Sequence, residues 1–136
     1  ARGLGPMFAD INNAQTLVSL LDATTIAPKA AAWVLDSDVE SWKLWLVPAS
    51  EGIGETEYLR ALAGVITANR GKLPGFDIGM TSRKRSDDPG VRALATIMQT
   101  GEKALTAAHF RRNAINGVYL PDVIVLRMAL VAEAAH

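Results

Sequence analysis

The chain contains no cysteine. Disulfides, thiolate zinc sites, iron–sulfur clusters and a cysteine nucleophile are therefore excluded. Histidine is nearly absent as well: His109 and the terminal His136 are the only two. No segment reaches the roughly 18 consecutive apolar residues that a membrane-spanning helix requires. Neither sign of charge is in excess, since fourteen lysines and arginines balance fourteen aspartates and glutamates. That balance gives no overall attraction to nucleic acid or to an anionic membrane.

What remains is 136 residues with 49% hydrophobic content, enough for one domain with its own core. Residues 7–128 are expected to form a single α+β domain. Ala1 to Pro6 read as a cloning remnant or disordered leader ahead of Met7, and residues 129–136 as an alanine-rich tail. The opening residues lack the charged and apolar regions of a secretory signal, so the expected compartment is the cytoplasm.

Local patterns give the elements. Ala14, Leu17, Val18 and Leu21 recur at helical spacing, predicting a helix over about 13–23, capped by Asn12 or Asn13 with Gln15 in a capping box. Ala32-Trp33-Val34-Leu35 and Trp42 to Val47 flank a polar turn and read as a β-hairpin. On its second strand Trp42, Leu44 and Leu46 share one face, and Lys43, Trp45 and Val47 the other. A helix is predicted over 55–70, stopped by a left-handed Gly71. Phe76 to Thr81 alternates like a strand with Phe76, Ile78 and Met80 inward. Asp88-Pro89 opens a third helix, with Asp88 as cap, and Gly101 ends it. Asn116-Gly117 marks a hairpin turn in which Ile115 faces Val118, Ala114 faces Tyr119 and Arg111 faces Asp122. The unbroken apolar run Val123 to Leu126 predicts a strand covered on both faces or central in the sheet. Together these give the order α-β-β-α-β-α-β-β. The expected fold is a two-layer α+β sandwich, a mixed, mainly antiparallel sheet of about five strands with three helices.

The final hairpin, with Phe110, Asn113, Ile115-Asn116-Gly117-Val118, Asp122 and Arg127-Met128, resembles the end of uncharacterised small bacterial α+β proteins, and the tryptophan hairpin is similar in kind. The resemblance implies a bacterial origin and no activity.

Three clusters are candidates for function. Arg83, Lys84 and Arg85 leave a strand and approach a helix N-terminus, where free N–H groups and the helix dipole favour a small anionic ligand. No phosphate-cradling glycine motif accompanies them, and Asp87 and Asp88 bring negative charge to the same end. His109, Arg111 and Arg112 lie on the final hairpin with Tyr119, Asp122 and Arg127, a set from which acid–base chemistry can be built. Against catalysis, no second internal histidine completes a relay. Asp36, Asp38 and Glu40 alternate in the first hairpin turn, but no metal-binding motif is present, and no metal or cofactor is expected.

Trp42 and Trp45 face opposite sides of one sheet. Trp33, Trp42, Trp45 and Tyr119 are thus candidates for an interface. Two-sided apolar strands outnumber the helices available to cover them, which favours a small soluble, non-catalytic interaction domain that is a homo-oligomer. The alternative is an enzyme or sensor that binds a small anion or phosphate ligand at Arg83-Lys84-Arg85. Nucleic-acid binding through the same residues ranks last.

Overall fold

Alternation along the second tryptophan strand sets which side of the sheet each residue joins. A computed structural model describes residues 8–36, 41–49, 52–101, 105–110, 113–115, 118–120 and 122–129. The helices are α1 (Phe8–Leu21), α2 (Glu55–Ala68) and α3 (Pro89–Ile97). The strands are β1 (Pro28–Asp36), β2 (Ser41–Pro48), β3 (Thr81–Arg83), β4 (Ala108–Phe110), β5 (Asn113–Ile115), β6 (Val118–Leu120) and β7 (Val123–Met128). Five strands form one mixed sheet in the order β3-β2-β1-β7-β4, and β5 and β6 form a separate ladder. All neighbours in the main sheet are antiparallel except β2 and β3. The α+β class and its order of elements follow the sequence reading.

The two faces of the sheet are covered by different helices. Trp33, Leu44, Leu46, Ile124 and Leu126 pack with Leu17 and Leu21 of α1 and with Tyr58, Leu62 and Ile66 of α2. Ala32, Val34, Val47, Val123 and Val125 pack with Val91 and Leu94 of α3. The third helix thus adds a layer on the opposite face instead of joining the other two. This is why β7 is buried at all six positions between β1 and β4, as its unbroken apolar run implied.

Within this frame several local elements differ from expectation. Helix α1 starts at Phe8, so Asn13 lies inside it and is buried. Its Nδ2 donates to the Pro74 carbonyl at 2.8 Å, and Gln15 Nε2 donates to the Thr106 carbonyl at 2.9 Å. The two amides tie the helix to distant loops instead of capping it. Phe76 to Thr81 is not a strand. Asp77 accepts a hydrogen bond from the Gly79 N–H and opens a 3-10 turn over Ile78–Met80, since a short polar side chain competes with the ladder for backbone donors. Pairing begins only at Thr81, although Phe76, Ile78 and Met80 still point into the first core. Gly71 sits within a 3-10 turn, and among the described residues the glycine with positive φ is Gly75, at 78°. Helix α3 ends at Ile97, ahead of Gly101. Thr100 then exchanges bonds with Met128, its N–H donating at 2.7 Å and its hydroxyl accepting at 2.9 Å.

The final segment divides in a way the hairpin motif does not reveal. β5 and β6 pair in the expected register, Ile115 with Val118 and Ala114 with Tyr119. β7 then enters the main sheet, where the Leu35 N–H donates to the Asp122 carbonyl. A β-bulge interrupts its pairing with β1: Ala31 is opposite Arg127, whereas Ala32 is opposite Val125. Leu126 is the extra residue, so Leu126 and Arg127 both turn toward α1. Strict alternation places Arg127 on the opposite face.

At the start of α3, Asp88 accepts from the Gly90 and Val91 N–H groups at 3.0 and 3.2 Å, with Pro89 in the first turn. The helix end lies directly against Trp45. A Cβ added at Gly90 lies 2.8 and 2.9 Å from Trp45 ring carbons. Gly90→Ala is therefore expected to destabilise by about 1–3 kcal/mol through overpacking, despite alanine's better helix propensity. A urea titration reads the loss. Trp45→Phe, which shortens the ring, is expected to reverse part of it in the double variant.

Candidate functional site

The geometry of β3 separates the three adjacent cations. Arg83 lies opposite Leu46 in the parallel ladder, on the α2 side. Its Cζ stands 5.3 Å from the centre of the Tyr58 ring, and its Nη2 donates to the Ile53 carbonyl at 2.9 Å. Lys84 turns to the other face, with Nζ 4.7 Å from the centre of the Trp45 ring. Arg85 is exposed and paired with Asp87, Nε to Oδ1 at 3.1 Å. The Arg85 side chain, hydrogen-bonded to Asp87, holds that carboxyl below the usual carboxylate range. Cations stacked on aromatic faces are attracted by the ring quadrupole, so two of the three are drawn to rings in different layers. They do not converge on one anion, and Asp88 already occupies the α3 N-terminus.

Of the second cluster, His109, Tyr119, Asp122 and Arg127 fall among the described residues. His109 is exposed on the edge strand β4, opposite Ile124. Arg111 and Arg112 lie outside the described residues, as does the pairing expected between Arg111 and Asp122. Tyr119 stands in β6 across from Ala114. Arg127, grouped with this hairpin by its place in the sequence, is fully buried. Its Nη1 and Nη2 donate to Asp22 Oδ1 and Oδ2 at 2.8 and 2.9 Å, and Nη1 also donates to the Pro28 carbonyl at 3.0 Å. The signal available in the sequence was a lone cation inside an otherwise apolar run.

Trp33 is only 2% exposed and meets Phe76 edge-on, with ring centres 6.2 Å apart. Trp42 packs against the core beneath α1 and α2, and Trp45 against the one beneath α3. The chain's own helices thus cover both sheet faces. This corrects the premise that a second subunit is needed to shield them. Among the described residues no group of three histidines, aspartates or glutamates is placed to hold a metal ion. Asp38 and Glu40 of the acidic turn lie outside the described residues. No helix among the described residues is long and apolar enough to cross a membrane.

Sequence reasoning missed the pairing of Arg83 with Tyr58, which joins two distant segments. Tyr58 is fully buried, and its hydroxyl has no hydrogen-bond partner among the described residues. Burial pushes its ionisation from 10.0 up to about 12, against the opposing pull of Arg83. Between those values an unfolded chain has released a proton that the folded chain retains. Stability is thus intact below pH 10 and falls toward pH 12, at up to about 1.4 kcal/mol per pH unit from this group. Tyr58→Phe is expected to remove that contribution and, with no partnered hydroxyl to lose, to be at least as stable at neutral pH. Denaturation midpoints of both proteins across pH 8–12 (roughly the window of tyrosine ionisation) measure the difference.

The chain matches no protein-family model, no curated protein and no solved structure.

Proposed function

We propose that this chain is a non-catalytic interaction domain that works as a homo-oligomer, joined through the β4 edge of its sheet. The observation that supports this reading is that β4 ends the sheet, bound to β7 on one side, while Leu105, Ala107 and His109 stand exposed along it. Leu105 is 42% exposed, one of two large apolar side chains so placed among the described residues. An edge strand offers a row of unpaired backbone donors and acceptors. Two copies related by a twofold axis can satisfy them reciprocally, since the same strand meets itself antiparallel. With the resemblance noted above, the proposal is of a bacterial, cytoplasmic domain.

Size-exclusion chromatography with light scattering tests the reading. A dimer is expected at high micromolar concentration, and Leu105→Glu, which places a charge beside the edge, is expected to return it to a single chain without lowering its melting temperature. A wild-type mass of one chain at that concentration overturns the proposal.

A further inference from the structure

We propose that Arg83 and Tyr58 form a site for a small oxyanion, a carboxylate or a phosphate, where β3 meets α2. The inference is independent of any oligomer. Arg83 Nε is buried and unpaired, and so is the Tyr58 hydroxyl. The two side chains are neighbours: the guanidinium carbon stands 5.3 Å from the centre of the tyrosine ring. Buried polar atoms in folded proteins are nearly always hydrogen-bonded, and exceptions call for a physical explanation. Two adjacent exceptions, one on a cation, select an acceptor that carries negative charge.

The rest of the geometry suits that ligand. A guanidinium has five N–H donors in a fixed fork, and here the bond from Nη2 to the Ile53 carbonyl fixes its orientation while Nε–H stays unspent. No carboxylate pairs with Arg83 among the described residues. The Tyr58 hydroxyl, like any tyrosine hydroxyl, is protonated at neutral pH, so it too can donate. Arg83 as a residue is partly exposed, while its Nε and the Tyr58 hydroxyl are themselves buried. Lys84 takes no part, being stacked on Trp45 across the sheet. The unpaired indole nitrogens of Trp33 and Trp42 belong to other rows of the ladder. They are neutral, whereas the Arg83–Tyr58 pair carries a charge.

The test follows the Arg83 Nε–H resonance in ¹⁵N-labelled protein, identified by its loss in Arg83→Lys. Sodium phosphate and sodium acetate are titrated separately against sodium chloride at matched ionic strength. The expected result is a saturable shift with phosphate, acetate or both, absent with chloride, and an affinity about tenfold weaker in Tyr58→Phe. A response to phosphate alone identifies a phosphate site, and to acetate alone a carboxylate site. Thermal shifts with the same salts, expected to disappear in Arg83→Gln, provide a second reading. No saturable response to either oxyanion, or equal affinity in Tyr58→Phe, overturns the proposal.

Discussion

Replacing Asp22 by alanine is expected to destabilise the protein by about 3–5 kcal/mol, because it removes a carboxylate that pairs with a buried guanidinium. Arg127 has no exposed side-chain surface, and Asp22 receives two of its hydrogen bonds. The Pro28 carbonyl also accepts from Nη1, but a neutral carbonyl does not replace a bidentate carboxylate. Such a loss is a large share of the roughly 5–15 kcal/mol that holds a domain together. Because the pair is buried, salt is expected to change the difference little. Asp22→Ala/Arg127→Met removes both charges and is expected to recover much of the loss. Urea midpoints of the single and double variants give the comparison. A single variant within about 1 kcal/mol of the parent shows that the pair behaves like an exposed one.

Trp33→Ala has an expected cost of similar size, about 3–5 kcal/mol. The ring lies in the central strand, opposite Leu44 on one side and Ile124 on the other, with Phe76 at its edge. Truncation opens a cavity where the layer beneath α1 and α2 meets both neighbours of β1. Trp33→Phe keeps most of that contact and abandons an indole N–H that has no partner among the described residues, so its cost is expected to be much smaller. Denaturation midpoints separate the two variants. Tryptophan fluorescence gives a second measure, since removing Trp33 takes away the most buried of the three indoles.

The parts of the fold legible in the sequence are those decided within a few residues. Trp42, Leu44 and Leu46 part from Trp45 and Val47 because a strand without a bulge alternates strictly. Asp88-Pro89 announces α3 because a cap needs only its own N–H neighbours. Asn116-Gly117 sets the β5–β6 register for the same reason. By contrast, the bulge at Leu126 leaves no local mark, and it alone sends Arg127 to Asp22. Asp77 diverts an alternating segment into a 3-10 turn with one side-chain bond. The candidate site was less legible than the fold: Arg83 was singled out for its charge, but its companion Tyr58 read only as one residue of a helical stripe. Lys84 and Arg85 looked equivalent to Arg83 until the sheet assigned each a different neighbour.

The place of β7 also bears on how the molecule is made. This strand inserts between β1 and β4, yet it follows both in the chain. During synthesis the tryptophan hairpin leaves the ribosome with one flank of β1 still open, and only the last strand closes it. Until then an apolar edge is available to any other nascent chain, and contacts so distant in sequence form slowly. Expression at low temperature or with a holding chaperone should therefore raise the yield of folded protein more than it does for domains in which no interior strand is made after both of its neighbours.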